Sequence, residues 1–169
     1  MLSEYTLVAV GANLPSAYGP PRATCEAALA ELAGRGLRIV RRSRWYESAP
    51  VPLADQPWYV NGVVAVETDL SPEALLALLH DVERQFGRER RELNAARVLD
   101  LDLLAYGDLV RRDPPPILPH PRLAERAFVV LPLADVAPDW RHPVTGQSVA
   151  DMRQALPPEQ AIRPLAGPP

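Results

Sequence analysis

"RVLDLDLLAYGD", residues 97–108, alternates aspartate with leucine through a run that is otherwise almost wholly apolar. The alternation has the period of a β-strand, in which residues two apart share a face, about 7 Å apart at their Cα atoms. Asp100 and Asp102 therefore stand side by side. Leu99, Leu101 and Leu103 point the other way and anchor the strand in the core. Val98, Leu104 and Tyr106 are expected on the aspartate face, which makes that face partly covered. A solvated strand face is the plain alternative. Two carboxylates on a partly covered face repel each other and resist loss of water.

Working outward, "YTLVAVG" (5–11) reads as a short strand ended by Gly11, and "RATCEAALAELAG" (22–34), led by Pro21, as an alanine-rich helix. "LRIVRRSRWYES" (37–48) reads as one strand near an edge. "APVPLADQP" (49–57) carries three prolines and is a loop. "WYVNGVVAVETD" (58–69) is a long strand with Val60, Val64 and Val66 on one face. The next helix has Ser71 as N-cap, Pro72 in its first turn, a buried stripe of Leu75, Leu79, Val82 and Phe86, and Gly87 past its end. "RERRELNAAR" (88–97) is charged and aperiodic. After the aspartate strand, "YGD" is expected to turn the chain into a short hairpin partner, "LV" (109–110). Short helical pieces follow, and Ser148 is placed to cap a last helix over 149–156. The order β-α-β-β-α-β predicts an α+β fold, a single domain with a ferredoxin-like core, an antiparallel sheet and extra C-terminal elements. Residues 1–156 are assigned to that domain and 157–169 to a loose Pro-rich tail.

The 169 residues are enough for one real core, and 47% of them are hydrophobic. The net charge of −3 disfavours a nucleic-acid partner, and a ferredoxin-like RNA-binding module would want a basic, aromatic sheet face that this chain lacks. No apolar run approaches a membrane span, and no basic leader opens the chain, so a cytoplasmic protein with no membrane partner is expected. The one cysteine, Cys25, fits a reducing compartment. All 18 basic residues are arginine. A Walker A loop, which needs lysine, is therefore excluded, and any phosphate chemistry runs on arginine, metal and backbone.

A hard cation would reconcile Asp100 with Asp102. Magnesium binds through one or two carboxylates together with phosphate oxygens and water. Two such ions can clamp both ends of a phosphoryl displacement. Arg88, Arg90, Arg91 and Arg97, set between a helix end and the carboxylate strand, read as an anion-binding loop. His120, held between Pro119 and Pro121, and Arg126 form a further constellation.

These pieces together resemble the 6-hydroxymethyl-7,8-dihydropterin pyrophosphokinases of folate biosynthesis. The resemblance rests on "VGANL" (10–14), "DQPWYVNGVV" (55–64), "FGRERR" (86–91), "RVLDLDLLAYGD" (97–108) and "LPHPRLAERAFVVLPLADVAP" (118–138), which occur in the family's order. It implies transfer of pyrophosphate from ATP to the pterin hydroxymethyl group by an enzyme working with two magnesium ions; a monomer is expected. It further implies Asp100 and Asp102 as metal ligands, with Arg88 and Arg97 steadying the transferred group and the leaving phosphate. Glu83, Arg90, His120 and Arg126 would lie along the nucleotide. Ser48, Val51, Tyr59, Asn61 and Phe128 would form the pterin pocket, braced by Asn13. The chain departs from the family's usual pattern in "LNAAR" (93–97), where Asn94 and Ala96 replace a tryptophan and a proline.

Overall fold

The computed structural model describes residues 5–49, 57–87, 98–158 and 160–165. In chain order the elements are β1 (Thr6–Ala12), α1 (Pro21–Gly34), β2 (Arg38–Arg42), β3 (Tyr46–Ser48), β4 (Tyr59–Glu67), α2 (Pro72–Gln85), β5 (Asp100–Tyr106), a 3₁₀ turn (Leu123–Glu125), α3 (Ala127–Val136), α4 (Val149–Ala155) and β6 (Ile162–Pro164). The strands form one sheet in the order β5-β1-β4-β3-β6, with β2 also on β4, and every pairing is antiparallel. β1 and β4 are thus central, as the β-α-β-β-α-β order requires of a ferredoxin-like core.

The sheet separates two layers of core. On one face Val8, Val10, Val60, Val64, Val66, Leu99, Leu101 and Leu103 pack with α1 and α2 through Ala28, Leu32, Leu75, Leu79 and Val82. On the other, Leu7, Val63, Ala65, Leu104 and Ala105 meet Val129, Val130, Leu133 and Val136 of α3 and Met152 of α4. The cap of α2 matches its sequence signals: the Ser71 hydroxyl accepts from Ala74 N at 3.1 Å, and Gly87 takes a left-handed φ of 91° past the end. Ser148 likewise caps α4 in a reciprocal pair with Asp151.

Four expectations change. The strand expected over 37–48 divides at Ser43–Trp45 into β2 and β3, which share one edge of β4. Trp45 turns inward there and lies across Gly62, while the Ser43 hydroxyl accepts from Val63 N at 2.9 Å. Residues 109–110 form no strand: Leu109 N closes a turn on Tyr106 O, and the next pairing is an isolated bridge between Arg111 and Leu118, which flank a proline run that has no N–H to donate. Residues 162–164 of the expected tail form β6, which extends the sheet beside β3. A bulge opposite Leu7 and Val8 shifts the phase of β5, so Ala105 joins Leu104 on the α3 side and Tyr106 moves to the α1/α2 side. Its hydroxyl there donates to Leu70 O at 2.6 Å.

Gly62 is the tightest of these contacts, since a Cβ at that position would lie 2.6 and 2.7 Å from two Trp45 ring atoms. Gly62→Ala is expected to cost about 1–3 kcal/mol of folding free energy in urea titration, the range for overpacking a filled core. An unchanged midpoint would show that Trp45 moves aside at no cost.

Candidate active site

The site is built across β1. Gly11 pairs with Asn61 of β4 on one side and with Asp100 of β5 on the other; Ala9 pairs in the same way with Val63 and Asp102. Directly paired residues share a face, so Asp100, Gly11 and Asn61 form one row on the α3 side of the sheet, with Asp102 in the next. The two small residues leave depth between the strands. A Cβ at Gly11 would stand 2.9 Å from Asn61 Oδ1. Asn61 Nδ2 donates to Ser48 Oγ at 2.6 Å, which fixes the amide so that its oxygen lies over Gly11. Asn13, 1% exposed, donates from Nδ2 to Pro57 O at 3.1 Å and ties the end of β1 to the entry of β4.

Asp100 and Asp102 are half-buried. Facing them are His120 and Arg126, from the segment that leads into α3. His120 N donates to Leu104 O at 2.8 Å, which locks the loop to β5. Its Nδ1 accepts from Arg122 N at 3.2 Å, so the proton of the neutral ring sits on Nε2. Burial, seconded by the Arg126 charge, holds the His120 pKa below the usual imidazole value, against an upward pull from Asp100. Burial also lowers the Arg126 pKa, with Arg122 adding to the effect and Asp102 and Asp100 opposing it. Both side chains thus feel the carboxylates. The Arg126 guanidinium lies over the Phe128 ring, 5.3 Å from its centroid.

The structure therefore brings Asp100, Asp102, Asn61, Ser48 and Asn13 to one face of the sheet, with His120 and Arg126 within electrostatic reach of the aspartates. Tyr59 lies beside them, paired with Ser48, and Phe128 beneath Arg126. Glu83 stands apart, on α2 behind the opposite face, 2% exposed, its Oε2 accepting from Leu101 N at 2.8 Å. Val51, Arg88, Arg90 and Arg97 lie outside the described residues. Sequence reasoning took Gly11 only as the end of the first strand, which in the structure runs on to Ala12, and assigned no role to Arg122, nor to the bond from Tyr46 to Asp135 (2.8 Å) that pins β3 to α3. The small–small pattern Ala9-x-Gly11 opposite Asp-x-Asp was the available signal for the first; the other two depend on long-range packing.

The donor set suits magnesium. Two half-buried carboxylates offer hard oxygen ligands, the kind that magnesium takes together with phosphate oxygens and water.

Residues 7–138 match the family described as 7,8-dihydro-6-hydroxymethylpterin-pyrophosphokinase (HPPK). The chain belongs to this family. It is 40% identical over 147 residues to the 2-amino-4-hydroxy-6-hydroxymethyldihydropteridine pyrophosphokinase of Synechocystis sp., covering 86% of this chain and 73% of that protein. A protein of the same name from Pseudomonas aeruginosa is also 40% identical, over 89% of this chain and 90% of its own length. The fold is shared with Plasmodium falciparum HPPK-DHPS, at a TM-score of 0.70 and 13% identity over 89% of this chain and 43% of that one. No described helix is long and apolar enough to cross a membrane.

The lowered His120 pKa sets a pH dependence. The folded state holds the ring neutral more firmly than the unfolded chain does. The stability this contributes is fully present above the unfolded value, about 6.5, and is lost as pH falls below it toward the folded value. His120→Asn, whose amide oxygen can replace the Nδ1 acceptor, should flatten the fall in unfolding free energy between neutral and mildly acid pH. It should leave the part due to His142, whose pKa burial also lowers. Identical slopes in parent and variant would show that His120 titrates alike in both states.

Proposed function

We propose that this protein transfers pyrophosphate from ATP to the hydroxymethyl group of 6-hydroxymethyl-7,8-dihydropterin, giving AMP and the pterin diphosphate. The observation that carries the reading is the row Asp100–Gly11–Asn61. Two strand spacings, about 10 Å, separate the carboxylate strand from the buried amide. A flat heterocycle recognised by Asn61 and Ser48 would then present its side arm toward the aspartates. Aromatic faces from Tyr59 and Phe128, with Val51, complete the pocket in this reading, and Asn13 holds its floor.

Asp100 and Asp102 would hold two magnesium ions, which when bound neutralise polyphosphate charge. His120 would offer its Nε2–H, and Arg126 and Arg90 would lie toward the nucleotide. Arg88 and Arg97 would steady the transferred group and the departing AMP. The substrate oxygen attacks the β-phosphorus and the bond to the α-phosphate oxygen breaks. No general base stands out in the sequence, so the rate enhancement rests on positioning and electrostatics. In this reading the protein is a cytoplasmic monomer acting on small molecules; its one cysteine is free and buried, as a reducing compartment allows, and its net charge of −3 disfavours a nucleic-acid partner.

The direct test is AMP formation from magnesium and ATP with and without the pterin alcohol. AMP should form only with the pterin; AMP formed with a different alcohol and not with the pterin contradicts the reading. Asn61→Ala should weaken pterin binding by about 1–3 kcal/mol, the cost of unmet polar groups, while nucleotide binding holds. Equal loss of both ligands in calorimetry would make Asn61 a structural residue.

Asp100→Ala and Asp102→Ala should each abolish most turnover. Magnesium with a non-hydrolysable ATP analogue should raise the parent's melting temperature and barely move that of either variant, because a ligand stabilises only the state that binds it. Normal turnover in both variants would reduce the pair to a solvated strand face.

A further inference from the structure

Glu83 is a carboxylate 2% exposed, on the helix behind the sheet rather than on the face that carries the aspartates. Burial of that kind is costly unless the group is hydrogen-bonded, and its Oε2 accepts from Leu101 N at 2.8 Å. Leu101 is the residue between Asp100 and Asp102. β5 is an edge strand, and N–H groups alternate in direction along it. With the Leu101 N–H turned outward to Glu83, those of Asp100 and Asp102 turn inward to β1, their partners being Gly11 and Ala9. β1 thus holds the strand from one side. On the other, the described bonds to its backbone are the Glu83 carboxylate at Leu101, His120 N at Leu104 O and, at the strand's end, Leu109 N at Tyr106 O.

From this we infer that Glu83 is a positioning residue, which acts through the Leu101 peptide to fix the spacing and tilt of Asp100 and Asp102, rather than a group that contacts the nucleotide. The inference rests on the proposed pyrophosphokinase reading for its catalytic consequence, but not for the brace itself. A carboxylate pair that binds cations together with phosphate must be held to a fraction of an ångström, and the partners that orient such ligands typically change metal affinity or activity 10–100-fold when removed. An edge strand with one unsatisfied outward N–H at its centre would flex at the two residues that matter most.

Two substitutions separate reach from charge. Glu83→Gln keeps the length of the side chain and an oxygen acceptor. Glu83→Asp keeps the charge and withdraws the acceptor by one methylene. Amide hydrogen exchange of Leu101 in the metal-free protein should be protected in the parent and in Glu83→Gln, and at least about tenfold faster in Glu83→Asp. In turnover, Glu83→Asp should lose about 10–100-fold in kcat with the KM for ATP within about twofold, and Glu83→Gln should recover most of that loss. Affinity for magnesium at a saturating concentration of a non-hydrolysable ATP analogue should fall in the same order. A brace with a merely structural role would lower the melting temperature of Glu83→Asp and leave kcat and this affinity alone, which overturns the inference. So would Leu101 exchange that is equal in all three proteins, or a raised KM for ATP at normal kcat, the mark of a nucleotide contact. A parent that forms no AMP with the pterin alcohol defeats the underlying reading instead, and the exchange comparison still decides whether Glu83 braces the strand.

Discussion

The register of β1 between β4 and β5 is the constraint on which the rest depends. One residue, Gly11, faces Asn61 across one ladder and Asp100 across the other. A slip of either neighbour by one residue would turn its polar set into the α1/α2 core and bring leucine or valine to the site. The register is held by burial on both faces. Leu99, Leu101 and Leu103 are almost wholly enclosed on one side, and Leu7, Val63 and Ala65 on the other. Polar chemistry is thus placed by apolar packing: the aspartates and the amide face α3 because the intervening residues cannot.

The surrounding polar contacts refine that placement. Ser48 orients the Asn61 amide, Asn13 fastens the end of β1 to the start of β4, and His120 N and Glu83 hold the outer edge of β5. On the far side, the Tyr46 hydroxyl donates to Asp135, and Arg44 pairs with the same carboxylate. Burial and that carboxylate push the Tyr46 pKa up to about 12, so its phenol stays a donor throughout the physiological range. α3 is thereby held against β3, which leaves the row from Asp100 to Asn61 beside the segment that carries His120 and Arg126.

Much of this was legible in the sequence because it is local. The cap and stripe of α2, the alternation of β5 and the inward valines of β4 follow from residue spacing alone, and each stands where that spacing puts it. The motif resemblance named the family and set His120 and Arg126, with Glu83 and Arg90, along the nucleotide. What spacing did not reveal depends on partners far along the chain. Tyr106 changes face because β5 bulges against β1; the 37–48 run breaks because Trp45 needs the space above Gly62; and Ile162–Pro164 becomes a strand only because the edge of β3 is open to receive it. Glu83 shows the same limit. Its helical position marks it as near β5, but only the packed structure shows the carboxylate reaching the peptide between the aspartates.

The central claim is that the α3 face of β5 and β1, and no other part of the sheet, receives the cations and the polyphosphate. Paramagnetic broadening by Mn²⁺ added with a non-hydrolysable ATP analogue tests it directly. Broadening should centre on the amide signals of Asp100–Asp102, Ala9 and Gly11, reach the Asn61 side-chain amide, and spare Cys25 and Ala28, buried on α1 behind the opposite face of the sheet. Broadening centred on α1 or on the β2 edge, with the β5 signals unaffected, would contradict the account.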